Sequence, residues 1–229
     1  MTDSTADEAL PVVGSVEPRW PVALAIGAFI AITITAHFTV PHRPTLGPGW
    51  LIPAVELSML ALLLAADPAH VAERRRPLRR AAIGLVLILA AAVFASTAIL
   101  IKDLVKGGEA TNSATTLLVN GGLTWLGNVL IFGLLYWLLD SGGPVARYRG
   151  ERSYPDFAFA QQLSPELAPP GWRPRYVDYA ILGLTTSTAF SPTDVMPMRP
   201  WPKLMMSAQS VISLVLIGLV IARAVNVLH

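Results

Sequence analysis

The chain has 229 residues, of which 53% are hydrophobic and only 14% are charged, whereas soluble domains carry about 25% charged residues. Long uncharged stretches separated by arginine clusters indicate an integral membrane protein. No cysteine is present, which excludes disulfides, thiolate metal sites and cysteine nucleophiles, and the net charge of +2 provides no basic face for nucleic acid.

Five segments are apolar and long enough to be membrane spans, because a bilayer core about 30 Å thick needs roughly 20 residues of helix. They follow an acidic tail, residues 1–19, which is predicted to be disordered. In chain order the spans are Trp20–Val40, Trp50–Ala66, Ala81–Ile101, Thr115–Leu139 and Leu204–Val227.

A sixth apolar segment, Tyr176–Phe190, is short for a span. Two alternatives stay open: it crosses as a tilted short helix, or it re-enters a bundle that buries it. The predicted fold is therefore all-α, a polytopic transmembrane helix bundle of five full spans plus one short or re-entrant helix before the last span.

Arginine clusters predict the topology. The segments His70–Arg80 and Ser141–Arg175 each hold five arginines, and the positive-inside rule places both in the cytoplasm. The chain then divides into the tail, a four-helix transmembrane region (20–140), a cytoplasmic arginine-rich loop (141–175) and a C-terminal region (176–229). Within the loop, a short helix is predicted at Ser164–Ala168, capped by Ser164. The N-terminus is predicted inside, in a multi-pass protein of the bacterial inner membrane.

Polar residues within the predicted spans are the first candidate sites. His37 and Glu56 lie at similar depth in neighbouring helices and could pair, either as a proton or cation relay or as a structural hydrogen bond, because an isolated ionisable group is costly in lipid. The amides of Asn120, Asn128 and Gln209 are typical of contacts that join helices.

The run Tyr179–Pro197 is the second candidate site, with sequence YAILGLTTSTAFSPTDVMP. Its hydroxyls and single carboxylate predict a pore or ion site, and the candidates are Thr185, Thr186, Thr188, Ser191 and Asp194. The alternative is local: Ser191 caps a short helix and Asp194 is its third-position partner in a capping box.

The order of a short helix, a threonine-rich end, a turn with an aspartate and a long helix resembles the pore-helix, filter and inner-helix unit of tetrameric potassium channels. Thr188, Asp194 and Pro197 would correspond to residues of that unit. Phe190–Pro192 stand where the filter has Gly-Tyr-Gly, and filter carbonyls align only with glycine conformations. The resemblance implies a channel-like hairpin without a potassium filter.

The last hundred residues or so also resemble a family of bacterial multi-spanning membrane proteins. The resemblance rests on Leu135–Pro144 (LYWLLDSGGP), on Asp156–Gln161 (DFAFAQ) and on the run from Asp178 to Leu228. It implies a shared membrane fold with the channel-like hairpin, and no catalytic residues.

Motifs of enzymes are missing from the sequence: it has no G-x-S-x-G, no H-E-x-x-H and no phosphate-binding glycine loop. Its four histidines are scattered, so no metal site and no cofactor is predicted. Three functional hypotheses remain open for a protein of the lipid bilayer. The protein is a pore-loop, ion-channel-like homo-oligomer that passes a small ion, a small proton- or cation-coupled transporter that uses Glu56 and His37, or a non-conducting scaffold or accessory subunit.

Overall fold

A computed structural model of the chain describes residues 18, 20–39, 54, 57–58, 75–106, 113–188 and 194–228. The described part is mostly helical. Its helices, labelled in chain order, are α1 (Trp20–Thr39), α2 (Arg75–Lys106), α3 (Ala114–Leu139), α4 (Pro144–Arg149), α5 (Ala160–Leu163), α6 (Tyr176–Ser187) and α7 (Pro200–Leu228). Two 3-10 turns, Asp140–Gly142 and Pro165–Leu167, and two strands, β1 (Phe157–Phe159) and β2 (Val195–Pro197), complete it.

Three described helices are long and apolar enough to cross a membrane: Ile83–Lys106, Ala114–Gly142 and Pro200–Val227. A shorter apolar helix covers Trp20–Ala36 in α1. The mostly helical class is thus confirmed, with three helices that are able to span a membrane, but the described residues do not support five full spans. Apart from residues 54 and 57–58, the predicted span Trp50–Ala66 lies outside them, as does the tail except for residue 18.

α2 is longer than predicted at both ends, since it continues to Lys106 beyond the predicted Ile101, and α7 is longer mainly at its amino end. α2 begins at Arg75 rather than at Ala81, so arginines predicted to lie in a loop belong to its first turns, where Pro77 is tolerated because early helical N–H groups have no partner. α7 begins at Pro200 rather than at Leu204, because proline is likewise tolerated at the first position of a helix.

The central element is α3, which contacts α1, α2, α6 and α7. Of its most apolar window, 61% is buried, against 33% for α2 and 22% for α7. The Phe132 ring lies 5.6 Å from that of Phe94 on α2, and Phe132 and Tyr136 are both buried. α3 therefore organises the bundle, and most of the apolar surface of α7 is not buried within the chain.

Part of the arginine-rich segment belongs to the core. Phe157 and Phe159 are fully buried, and both rings meet Tyr179 edge-on, at centroid distances of 6.4 and 5.3 Å. The prediction of a helix at Ser164–Ala168 is wrong in detail, because only a 3-10 turn forms there and Ser164 makes no capping hydrogen bond.

A small antiparallel sheet departs from the all-α prediction. β1 pairs with β2 in the register Phe157 to Pro197, Ala158 to Met196 and Phe159 to Val195. The capping-box hypothesis needed a helix that starts at Ser191 and includes Asp194. The backbone at Asp194 is not helical, and β2 follows it directly. Three-residue strands carry no periodic pattern, so hydropathy does not reveal them.

The short helix α6 runs antiparallel to α3. Its first turns lie at the carboxyl end of α3, where the Tyr179 hydroxyl donates to Asp140. Its middle lies against Val129 and Gly133, and at its far end Trp125 Nε1 donates to the Ser187 carbonyl at 3.5 Å. With 12 residues, α6 covers about 18 Å, roughly half of the bundle.

After α6 the chain returns to the end of the bundle from which α6 started. The Asp194 carbonyl accepts a hydrogen bond from Ala160 N at 2.8 Å, and β2 then pairs with β1, whose Phe157 N donates to Asp140 Oδ1 at 3.3 Å. The start of α6 and strand β2 therefore both lie next to Asp140 or its neighbours. α6 thus begins at this end of the bundle and covers about half of its length, and α7 starts from the same end.

Candidate functional site around the short helix α6

Gln209 joins three helices in the interior of the bundle. Its Nε2 donates to the Gly183 carbonyl at 2.8 Å and to Ser187 Oγ at 2.6 Å, and its Oε1 accepts from the Tyr136 hydroxyl at 2.6 Å. The side chain is fully buried. The amide thus links α7 to α3 and α6, which is the type of contact that polar groups make between membrane helices.

Asn128 makes a second polar contact between α3 and α7. It is 0% exposed, and its Nδ2 donates to Ser213 Oγ at 3.3 Å. Its Oδ1 has no hydrogen-bond partner among the described residues, and neither has the buried Oδ1 of Asn120, two turns earlier on α3. These amides therefore bring into the interior two acceptor oxygens that no donor of the described residues pairs.

The three threonines predicted to line a pore behave differently from one another. The hydroxyls of Thr185 and Thr188 are half-buried and donate to carbonyls of the preceding turn of α6, at 3.0–3.2 Å. Thr186 is 3% exposed, and within the described part of the chain its Oγ1 has no hydrogen-bond partner. Of the three, only Thr186 faces the interior with a free hydroxyl.

The other predicted site residues do not join this group. Asp194 is exposed at the end of the bundle where α6 starts, about the length of α6 away from Thr188. Ser191 and Glu56 lie outside the described residues, and so does the side chain of His37. The structure therefore separates Asp194 from the threonines with which it was grouped.

A buried carboxylate at the end of α3 was missed by the sequence analysis. Asp140 is 1% exposed, and its Oδ1 accepts from Ser141 Oγ at 2.8 Å and from the backbone amides of Asp156 and Phe157 at 3.2 and 3.3 Å. Its Oδ2 accepts from the Tyr179 hydroxyl. One side chain thus ties the end of α3 to β1 and to α6.

A second buried carboxylate, Asp156, lies beside the first. Its Oδ2 accepts from Ser141 N at 2.8 Å and from Arg152 Nη1 at 3.4 Å, and its Oδ1 forms an ion pair with Arg199 Nε at 2.9 Å. Arg199 directly precedes α7, so this carboxylate ties the start of α7 to the same end of α3.

Arg147 completes the cluster with a largely buried charge, since its side chain is only 8% exposed. Its Nη1 donates to the carbonyls of Trp137 and Asp140 at 2.7 and 2.9 Å and lies 4.0 Å from Asp140 Oδ2. Its guanidinium stacks over the Tyr179 ring at 4.8 Å. We call these residues the acid–arginine latch: Asp140, Asp156, Arg147, Arg152, Tyr179 and Arg199.

The two parts of the site have different chemistry. The latch contains paired charges and holds the starts of α6 and α7, whereas the interior around Gln209 contains neutral oxygens and amides. Among the residues that the structure describes, no group of three or more histidine, aspartate or glutamate side chains could hold a metal ion. No family model, curated protein or solved structure matches the chain.

Proposed function

We propose that the protein is a multi-pass protein of the bacterial inner membrane in which α6 is a re-entrant half-helix, and that it passes small cations as a pore-loop protein. Three helices able to span a bilayer support the membrane location. Five full spans remain part of the proposal, together with a cytoplasmic arginine-rich end. With α6 returning to that end, α7 carries the C-terminus outside.

The observation that carries the functional proposal is a helix that stops inside the bundle. Helix ends leave carbonyls without intrahelical partners, and at membrane depth such ends are tolerated only where protein buries them or water reaches them. The C-terminus of a helix carries a partial negative charge, and half-helix C-termini beside polar oxygens are typical of cation paths in membrane proteins. α6 ends beside Thr186, Asn128 and Gln209.

Cysteine labelling tests the topology, because the natural chain has no cysteine. We expect Glu151→Cys, Asp194→Cys and Lys203→Cys to react with a membrane-impermeant maleimide only after cells are permeabilised, and His229→Cys to react in intact cells. The wild type is the blank. If Asp194→Cys and Lys203→Cys react in intact cells while Glu151→Cys stays protected, α6 crosses the membrane and the re-entrant arrangement is wrong.

Ion flux tests the function. Liposomes that contain the purified protein are expected to release K⁺ or Na⁺ faster than protein-free liposomes. Asp194→Asn should lower the flux a few-fold at low salt and less at high salt. An exposed carboxylate at the entrance of the proposed cation path attracts cations, and dissolved salt screens that attraction. Glu166→Gln, which changes an exposed carboxylate of the arginine-rich segment 141–175, is the matched control. Wild-type flux equal to that of protein-free liposomes would contradict the proposal.

A non-conducting scaffold is the alternative that one observation favours. The hydrogen bonds of Gln209, and the hydroxyl bonds of Thr185 and Thr188, are all completed within one chain. The exposed apolar surfaces of α6 and α7 suit lipid or a second copy of the chain in a homo-oligomer. The transporter hypothesis rests on His37 and Glu56 and stays a prediction. It would be favoured if Glu56→Gln alone abolished the flux.

A further inference from the structure

Three helices are held at one depth around the inner end of α6. Besides the bonds of Gln209, a hydrogen bond joins each pair of these helices there, through segments 125–128 of α3, 186–187 of α6 and 210–213 of α7. These bonds run from Trp125 Nε1 to the Ser187 carbonyl at 3.5 Å, from Asn128 Nδ2 to Ser213 Oγ at 3.3 Å, and from Ser210 Oγ to the Thr186 carbonyl at 3.1 Å. Each segment is about one helical turn or shorter, so the three form a compact triangle, which we call the three-helix junction.

Two oxygen atoms of the three-helix junction have no hydrogen-bond partner within the described part of the chain: Asn128 Oδ1 and Thr186 Oγ1. Their side chains are 0% and 3% exposed, so bulk water does not compensate them. Buried polar atoms in native proteins are nearly always paired, and an unpaired one calls for an ordered water or an ion. Two such atoms on neighbouring helices, at one depth, indicate a shared ligand.

The chemistry of the three-helix junction selects the ligand. An amide oxygen is only an acceptor, and a hydroxyl can also accept through its oxygen, so both can bind a positively charged group. The C-terminal end of α6 adds a partial negative charge. Segments 125–128, 186–187 and 210–213 contain no carboxylate, whereas sites for Ca²⁺ and Mg²⁺ generally use carboxylates.

We propose that the three-helix junction is a binding site for a monovalent metal cation, Na⁺ or K⁺, with Asn128 Oδ1 and Thr186 Oγ1 among its ligands. The proposal rests on the proposed function and locates one step of the cation path at the inner end of α6. Asn120 Oδ1, on the same face of α3 and about 12 Å further along it, is the next unpaired oxygen on that path.

Thermal unfolding of the detergent-purified full chain tests the site. The midpoint is measured in NaCl, in KCl and in N-methyl-D-glucamine chloride at equal ionic strength, so that screening is constant. A ligand that binds only the folded state raises the midpoint with its concentration. We expect the wild-type midpoint to rise with Na⁺ or K⁺ and to stay constant with the large organic cation.

Thr186→Val is the diagnostic variant, because valine keeps the shape of threonine and removes only the ligand oxygen. Its midpoint in the organic cation should equal or exceed that of the wild type, since an unpaired buried hydroxyl is unfavourable, and its cation-dependent rise should be lost. Thr185→Val is the matched control one residue away. Its hydroxyl bonds within α6, so the cation-dependent rise should persist.

The outcomes separate this site from the proposed function. A wild-type midpoint that is independent of Na⁺ and K⁺, or a rise that survives in Thr186→Val, overturns the site and assigns the unpaired oxygens to a buried water. Flux without a cation-dependent midpoint leaves the pore-loop proposal standing and removes the site. A cation-dependent midpoint without flux supports the site in a protein that does not conduct.

Discussion

Asp140→Ala is expected to lower the free energy of unfolding by about 3–5 kcal/mol, the usual cost of breaking a buried ion pair from one side. The substitution removes the acceptor of the Tyr179 and Ser141 hydroxyls and of two backbone amides. It also leaves the guanidinium of Arg147, 8% exposed, without its nearest carboxylate. Unfolding in mixed micelles with increasing sodium dodecyl sulfate measures the change.

Two further variants interpret that result. Glu166→Ala removes an exposed carboxylate of the arginine-rich segment 141–175 and is expected to change the free energy of unfolding by less than about 0.5 kcal/mol. Asp140→Asn keeps an acceptor oxygen for the backbone amides but loses the charge and replaces the other acceptor oxygen with an NH2 group, so its effect should fall between the two. If Asp140→Ala is as stable as Glu166→Ala, the latch does not hold the starts of α6 and α7.

Gly183→Val is expected to destabilise the protein by about 1–3 kcal/mol, the range for overpacking in a tight core. A Cβ at this position would lie 2.9 Å from the Val129 carbonyl oxygen and 3.2 Å from Gly133 N. Both are backbone atoms of α3 that cannot rotate away, so α6 must move. The same titration in mixed micelles measures the loss.

The sign of the change in stability distinguishes close contact between α6 and α3 from the general effect of replacing a glycine within a helix. Gly122→Ala is the matched control, because a Cβ there meets nothing within 4 Å. Alanine in a helix interior is normally favoured over glycine by about 0.5–1 kcal/mol, so Gly122→Ala should be neutral or stabilising, whereas Gly183→Ala should destabilise. A stabilising Gly183→Ala would show that α6 does not lie against α3 as described.

The long helices could be predicted from the sequence because the requirement behind them is local. A membrane span must satisfy every backbone group within its own helix and be apolar over roughly 20 residues. The predicted spans Ala81–Ile101, Thr115–Leu139 and Leu204–Val227 accordingly lie within α2, α3 and α7. The helices extend beyond these bounds at the amino ends of α2 and α7, where prolines and arginines lower the hydropathy but still permit helix, and at the carboxyl end of α2, which continues to Lys106.

Whether the chain crosses or returns after α6 could not be predicted, because the length of the apolar segment Tyr176–Phe190 suits both. The return depends on the pairing of β2 with β1 and on the bond from Tyr179 to Asp140, which join residues 36–40 positions apart in sequence. The latch was missed for the same reason. Asp140 and Asp156 lie in two runs that had been noted for their resemblance alone, and no spacing rule relates them.

By itself the sequence determined where three helices long and apolar enough to cross a membrane lie, and that they contain amides and hydroxyls. Tertiary structure alone decided which of these groups meet. Thr185 and Thr186 are adjacent, yet about 100° of helical rotation separates them, so packing against α3 and α7 buries one hydroxyl and leaves the other half-buried on α6. Apolar length is a property of one segment, whereas an unpaired oxygen is a property of three helices packed together.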